Sequence, residues 1–322
     1  MYEGINMENK TDSKFLNELM SLKEQLLFEG TLEIPDGVSN VIIAGMGGSG
    51  IVGKIFQEIY NQVPVFVSSG YSLPEFVGKE SMAICISYSG NTEETIAAHD
   101  DAKRKGAHTA VITSGGTLSE MDDNKVIIPK GISPRSAFGY MLMPLLNSFG
   151  SIRGEEIQEA RMLLGKLDGD SLAEKEIADE IFAGELLPIV YSTAPSESIA
   201  YRWSTQFNEN SKILALWGSF PELNHNNTMA LKSTYRKNVF YPICIRSSND
   251  SRITARIKAT EEVTGMKFRR IVEPEGSSVF ARTMYLIHVG DYISYHLAKL
   301  RNVDPLDVSS IEQLKARLRE IN

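Results

Sequence analysis

Cysteine, positive charge and long apolar runs are all scarce in this sequence. It has two cysteines in 322 residues, too few to build the four-ligand cluster of a structural zinc site. Both lie in apolar, strand-like runs, Cys85 in MAICIS and Cys244 in VFYPICI, where a small thiol packs as a hydrophobe. The formal net charge is −8. That argues against a general nucleic-acid binder, whose affinity would come from a basic footprint. No stretch approaches the roughly 18 consecutive apolar residues that a membrane-spanning helix needs. The opening MYEGINMENKTDSK is polar and carries acidic residues, unlike a signal or transit peptide. These absences predict a soluble, cytoplasmic chain with no metal centre and no membrane or nucleic-acid partner.

What is present is ordinary globular composition, 42% hydrophobic and 23% charged, at a length that suggests two domains. Within an amino-terminal segment of residues 1–35, residues 12–29 carry apolar side chains at helical spacing as far as Gly30, a residue type that ends helices. Residues 36–150 begin with SNVIIAGMGGSGIVGKIFQEIYNQ, a β-branched run, a glycine-rich turn and an amphipathic helix. VPVFVSS, MAICISYSG, HTAVITSGG and DNKVIIPKG supply further strands, with the helix TEETIAAHDDAKRKG among them. Strands alternating with helices predict a parallel sheet covered on both faces. Residues 151–185 are charged and helical in period, and read as a connector. From 186 to 300 the pattern returns: LLPIVYSTAPSESIAYRWSTQFNENSK is strand, small-residue turn and helix, and ILALWGS, NVFYPICIRSS and FRRIVEPEGS are strands. Residues 301–322 close with a helix started by Asp and Pro. The expected fold is α/β, two doubly wound parallel-sheet domains in tandem plus a carboxyl-terminal helix.

Two turns carry chemistry. GMGGSG, Gly45 to Gly50, fits the glycine fingerprint of a dinucleotide site. Such a site needs an acid about 20 residues on, at the end of the second strand, and here that strand ends in Ser68-Ser69. Two readings are left: a plain tight turn, or a place where the backbone of Gly47 and Gly48 and the hydroxyl of Ser49 approach a ligand. SYSGNTEET, from Ser87 to Thr95, follows the strand MAICI. It sets Ser87, Ser89 and Thr92 where unpaired amides and the positive end of a helix dipole collect, which is where phosphate binds. The competing reading is simple helix capping by Asn91 or Thr92, but a cap needs one such group and this stretch offers a cluster. There is no Walker lysine, so a sugar phosphate suits the site better than a nucleoside triphosphate.

GMGGSG followed by SYSGNTEET resembles the sugar isomerase (SIS) domain, which binds phosphorylated sugars with a serine/threonine loop. Two such domains with FNENSK, FPELNHN and a terminal DP-x-x-V-x-x-I-x-x-LK resemble the bifunctional phosphoglucose/phosphomannose isomerases over nearly the whole chain. The resemblance implies tandem flavodoxin-like SIS domains, a homodimer, hexose 6-phosphate substrates and no cofactor. It also implies interconversion of glucose 6-phosphate and mannose 6-phosphate with fructose 6-phosphate through a cis-enediolate.

That reaction needs ring opening, a base that moves a proton between C2 and C1, a cation for the enediolate and an anchor for the phosphate. Glu209 in FNENSK and Glu222 in PELNHN are both candidate bases. The resemblance favours Glu209, flanked by Asn208 and Asn210, whose amides would orient it. Arg135 in ISPRSAFGY follows a strand and a proline among apolar residues, a place for a fixed cation, and the family pattern points to the same residue. His225, between Asn224 and Asn226, is the best of five histidines for moving a ring proton. His99 and His108 read as bystanders on or beyond a charged surface helix, and His288 and His296 as core or surface residues. The resemblance places His225 in the partner's active site, and makes Lys315 a second ring-opening residue on the carboxyl-terminal helix. Room for either C2 epimer would come from the stretch Asp307 to Ser310. The rival reading is a non-catalytic SIS-domain sensor, which needs the Ser87–Thr92 loop but not Arg135, Glu209 and His225 together. An aminosugar synthase is excluded by the lack of a nucleophilic cysteine near the start.

Overall fold

The computed structural model describes residues 13–121, 124–247 and 250–320; residues 1–12 of the amino-terminal segment lie outside them. Helix α1 covers 13–20 and α2 Leu22–Gln25. The first sheet is built from β1 (Asn40–Ala44), β2 (Val65–Ser68), β3 (Ser81–Ser87), β4 (His108–Thr113) and β5 (Asn124–Ile127). Its helices are α3 (Gly47–Ile59), α4 (Glu93–Arg104), α5 (Gly116–Glu120) and α6 (Phe138–Ser148). Helices α7 (Gly154–Gly169) and α8 (Leu172–Ala183) follow. The second sheet holds β6 (Leu187–Thr193), β7 (Leu216–Phe220), β8 (Phe240–Ile245) and β9 (Arg270–Val272). With them run α9 (Glu197–Asn210), α10 (Leu223–Ser233), α11 (Ser251–Thr264), α12 (Val279–Leu300) and α13 (Ser309–Arg319).

All strand pairs are parallel, in the orders β2-β1-β3-β4-β5 and β7-β6-β8-β9. The first is the flavodoxin-like order, and each sheet has a point where the direction of winding reverses, between β1 and β3 and between β6 and β8. Ligands of open α/β sheets bind outside the strand ends at such points. Strand β3 is buried at every residue, which is why MAICI reads as one continuous apolar run and not as an alternation.

Helix α12 joins the two halves. Phe280, Met284 and Ile287 belong to the core that includes Ile43 and Ile84 of the first sheet, whereas Leu286, Val289, Ile293 and Leu297 belong to the core around Val190 and Ile243 of the second. The same helix packs on α7, α8 and α9. At Gly290 a side chain would collide with the indole of Trp203, 2.3 Å away. Trp203 is fully buried and donates Nε1–H to the Leu286 carbonyl at 2.8 Å.

The amino-terminal helix differs from the expected 12–29. It breaks at Ser21 and stops at Gln25, short of Gly30. Long-range hydrogen bonds take over: Gln25 Oε1 accepts from the amides of Gly139 and Tyr140 at 2.9 and 3.3 Å, capping α6 from a distance. Asn147 donates to the carbonyls of Phe28 and Gly30 at 3.0 and 3.3 Å, so the backbone finds its partners in α6 and needs no further helical turn.

A deeply buried ion pair joins Arg202 of α9 to Asp291 of α12, with two contacts at 3.0 and 3.1 Å and side chains 1% and 5% exposed. Gln206 adds a third bond to the same carboxylate at 2.6 Å. Removing one partner of such a pair strands a charge in the core, at a cost of about 3–5 kcal/mol. Asp291→Ala should therefore lower the urea midpoint sharply; an unchanged midpoint would show that the pair contributes nothing net.

Candidate active site

The two motif turns lie side by side at the first winding reversal. Strands β1 and β3 are adjacent, with Ala44 opposite Cys85, and a side chain on Gly45 would come within 3.0 Å of the Ile86 carbonyl. Helix α3 starts at Gly47 with no side-chain cap, so its first-turn amides face outward without intrahelical partners. Ser49, 7% exposed, has its hydroxyl 3.5 Å from the Met141 thioether, a weak acceptor.

In the second turn, Ser87 Oγ accepts from the Gly90 amide at 3.1 Å, shares a 2.8 Å hydrogen bond with Thr92 Oγ1 and lies 3.4 Å from Ser89 Oγ. Gly90 sits at φ +70°, and a side chain there would overlap the Gly115 carbonyl at 1.7 Å. No other residue fits that position. Asn91 fastens the loop to α5 by accepting from Thr117 N and Oγ1 at 2.9 and 3.1 Å. Thr92 occupies the N-cap position of α4, yet its side chain makes no capping bond; the hydroxyl is turned into the cluster with Ser87.

Arg135 lies on the loop between β5 and α6, 4% exposed. Its Nε donates to Asn210 Oδ1 at 2.5 Å, one terminal nitrogen donates to the Pro305 carbonyl, and the other is 3.4 Å from Glu209 Oε2. The Phe15 ring lies 5.7 Å from the guanidinium carbon. Burial lowers the Arg135 pKa, and the Glu209 carboxylate opposes that most strongly. The loop itself is pinned: Ser133 N and Oγ donate to Glu18 at 3.0 and 2.7 Å, and Arg202 donates to the Arg135 carbonyl at 3.2 Å. Gly48 faces this loop, since a side chain there would sit 3.5 Å from Arg135 Cα. The phosphate-type turn, the cation and Glu209 therefore converge.

Glu209 is near the end of α9 and partly exposed, in a cleft of about 600 Å³ also lined by Asn208, Lys212, Asp307, Val308 and Ser310. The flanking amides do not orient it. Asn210 is committed to Arg135 and, through Nδ2, to Ser294 Oγ at 2.9 Å, and Asn208 Oδ1 accepts from the Ala215 amide at 2.9 Å. Lys212 was not singled out from the sequence although it ends the quoted FNENSK. It has φ +52°, and Nζ donates to the Glu209 and Asp307 carbonyls at 2.5 and 2.8 Å. Burial, and then the Arg135 cation, hold its ammonium below the usual lysine range.

The remaining candidates lie elsewhere. His225 and Lys315 are exposed, on α10 and α13, and neither side chain makes a hydrogen bond or ion pair among the described residues. Glu222 is exposed and accepts from Asn226 at 3.4 Å, with no contact to Arg135. His99 is not a surface residue: it is 1% exposed, on the inner face of α4. His288 is buried and bonded to Asp168 at 2.8 Å, and His296 to Ser171 at 2.9 Å.

The SIS domain family matches residues 37–146, and the family described as the bacterial phospho-glucose isomerase C-terminal SIS domain matches residues 172–318. The crystal structure of glucosamine-6-phosphate deaminase from Thermotoga maritima superimposes with a TM-score of 0.67 at 16% identity, covering 92% of this chain and 96% of that one. That likeness concerns the fold alone. Fold and matches together define a tandem SIS-domain protein. Among curated sequences, the bifunctional phosphoglucose/phosphomannose isomerase of Thermoplasma acidophilum is 52% identical over 305 residues, 95% of this chain and 97% of the relative. The enzyme of the same description from Aquifex aeolicus is 36% identical over 295 residues, 87% of this chain and 90% of the relative. The chain belongs to the bifunctional phosphoglucose/phosphomannose isomerase family.

Capping and ligand binding by Thr92 make opposite predictions. Thr92→Val keeps the shape and removes the hydroxyl. With no cap to lose, its melting temperature should fall little, while loss of a charge-assisted hydrogen bond raises KM for a hexose 6-phosphate about tenfold. A lowered melting temperature with unchanged KM would assign Thr92 to helix capping.

Proposed function

We propose that the chain holds the 6-phosphate of a hexose on Ser49, Ser87, Ser89 and Thr92 with the first-turn amides of α3, and moves a proton between C2 and C1 with Glu209. The enzyme is an aldose–ketose isomerase interconverting glucose 6-phosphate and mannose 6-phosphate with fructose 6-phosphate. The observation that carries the site assignment is the Arg135–Glu209 pair, set at the end of α9 beside the hydroxyl-lined turns.

Glu209 takes the proton from C2 of the open aldose and returns it to C1 while the O2 hydroxyl proton passes to O1, so nothing is gained or lost overall. Between those events negative charge develops on the oxygens at C1 and C2. Arg135 is held by two fixed acceptors and only loosely by Glu209 at 3.4 Å. With those two nitrogens fixed, the rigid planar guanidinium holds its third nitrogen in place to donate to the enediolate, and such preorganisation is a large source of rate enhancement. Rotation of the intermediate about C2–C3 within the cleft beside Val308 and Ser310 would present either epimer to the same base.

Ring opening falls to His225 and Lys315. Within one copy both stand on exposed helices, so His225 is proposed to enter the site of a second copy in a homodimer. Support comes from the surface around it: Met229 and Tyr235 are 75% and 93% exposed, and Leu216 and Trp217 of the edge strand β7 are 47% and 46% exposed. A cytoplasmic location belongs to the same proposal. No helix among the described residues is long and apolar enough to cross a membrane. A sensor would have no use for a buried cation aimed at a carboxylate, and that reading is not favoured.

Glu209→Gln should reduce turnover of fructose 6-phosphate to both aldose products at least a thousandfold while still binding substrate. An active Glu209→Gln beside an inactive Glu222→Gln would move the base to the other carboxylate. Mixing Glu209→Gln with His225→Ala subunits should restore part of the activity. No rescue, with subunit exchange verified, would confine the site to one protomer.

A further inference from the structure

The second winding reversal, between β6 and β8, has the same kind of lining as the first: Ser192 and Thr193 at the end of β6, Ser196 and Ser198 after it, and Ser247 after β8. It is already filled by a carboxyl group from the other domain. Glu58, at the far end of α3, accepts from the Ser198 amide at 2.8 Å through Oε1 and from the Ser198 hydroxyl at 2.5 Å through Oε2. Ser198 is the second residue of α9, so the carboxylate sits on unpaired amides at the positive end of a helix dipole, the position a phosphate takes elsewhere. Among the described residues, the hydroxyls of Ser192 and Ser247 are buried without a partner. The adjoining cavity is about 50 Å³, too small to admit a sugar phosphate beside the glutamate.

The two helices tied by this contact are antiparallel. Helix α3 runs from the Gly47–Ser49 turn to Ile59 with Glu58 in its last turn; α9 runs from Glu197 to Asn210 with Ser198 in its first turn and Glu209 in its last. At about 1.5 Å per residue each spans about 20 Å. One end of the pair is closed by Glu58 and Ser198; at the other, Gly48 packs against Arg135, which holds Asn210. We propose that Glu58 is a positioning residue: with its carboxyl group hydrogen-bonded in the second domain's switch-point cradle, it fixes the phosphate-binding helix α3 against the base-bearing helix α9. This rests on the assignment of the Ser87 loop and Glu209 above.

The carboxylate is kept there although its charged form is disfavoured. Burial pushes Glu58 up to about 7 against the opposing pull of Ser198, and Glu197 beside it pushes the same way. Arg282 of α12 lines the same cavity. Since the folded pKa lies above the unfolded value of 4.5, the stability this group contributes is complete below about pH 4.5 and lost as pH rises through about 7. An uncharged carboxamide of the same shape escapes that loss.

The test measures kcat for fructose 6-phosphate and, separately, the Kd of inorganic phosphate. Glu58→Ala should lose at least tenfold in kcat with phosphate affinity changed less than twofold, because the phosphate turn is intact and only its distance to the base is loosened. Glu58→Gln, able to make both contacts, should keep most of the turnover and should melt higher than the parent above pH 7 but not near pH 4.5. Formate added to Glu58→Gly should restore kcat in a saturable manner, an effect that general loss of packing would not give. Should the alanine variant fail to fold, Ser198→Ala, which removes one of the two contacts, should show the same kcat loss in smaller measure. A folded Glu58→Ala with kcat within twofold of the parent, or a parallel loss of phosphate affinity, overturns the proposal. Failure of the underlying site assignment looks different: Glu209→Gln would then be active.

Discussion

The structure turns on one buried cation. The Arg135 guanidinium lies where three segments distant in sequence meet: its own loop between β5 and α6, the end of α9 through Asn210 and Glu209, and the carboxyl-terminal segment through the Pro305 carbonyl. A desolvated guanidinium is tolerable only when its N–H groups all have acceptors, since an unpaired buried charge costs several kcal/mol. That requirement fixes the segments relative to one another more tightly than apolar packing would. It also places the carboxylate of Glu209 next to a cation that cannot relax away. The loop's other supports, Glu18 on Ser133 and Arg202 on the Arg135 carbonyl, hold the backbone behind it.

Around that point the two repeats of one topology serve different ends. In the first domain the hydroxyls at the winding reversal face an open turn, and Thr92 leaves its helix uncapped to join them. In the second, the equivalent cradle is closed by the Glu58 carboxyl group, and Glu209, the proposed base, sits one helix length away at the opposite end of α9. Lys212 then clamps the chain beyond Asp307 onto the same helix end. On the proposed assignment the repeat supplies a ligand turn once and a rigid lever once. Helix α12, packed into both cores, holds lever and turn in one body.

Features encoded locally were legible in the sequence. Each strand is a short apolar run with its own boundaries, and the hydroxyl turn lies within a few residues, so period and turn chemistry found them. The pairs that position the site were not legible, because they join residues far apart: Arg202 and Asp291 by 89 positions, Lys212 and Asp307 by 95, Glu58 and Ser198 by 140. Nothing in either partner's neighbourhood announces the other. Asn210 was read as a support for its sequence neighbour Glu209, but the amide turns across the domain seam to Arg135. His99 was lost to composition. The acidic and basic residues of α4 suggested a surface helix, yet Thr95, Ala98, His99 and Ala102 form an i, i+3, i+4, i+7 stripe and are all buried.

Precision and exposure are divided along the same lines. Proton abstraction from carbon demands that base, cation and phosphate anchor keep their separations closely, because a small displacement of a reacting group forfeits much of the orientation advantage. The groups proposed for those roles stand on α9, the Arg135 loop, α3 and the Ser87 loop, and the contacts Glu58–Ser198, Arg135–Asn210 and Glu18–Ser133 tie α3, α9 and the Arg135 loop to their surroundings. Moving a proton to or from a sugar ring oxygen is less exacting, since one intervening water can complete the path. The residues proposed for that step stand on α10 and α13, whose surfaces are largely exposed. A chain that spends its buried polar contacts on the first set and leaves the second at the surface favours a shared site. In the proposed homodimer the rigid parts lie within one copy, and only the tolerant step depends on how two copies meet.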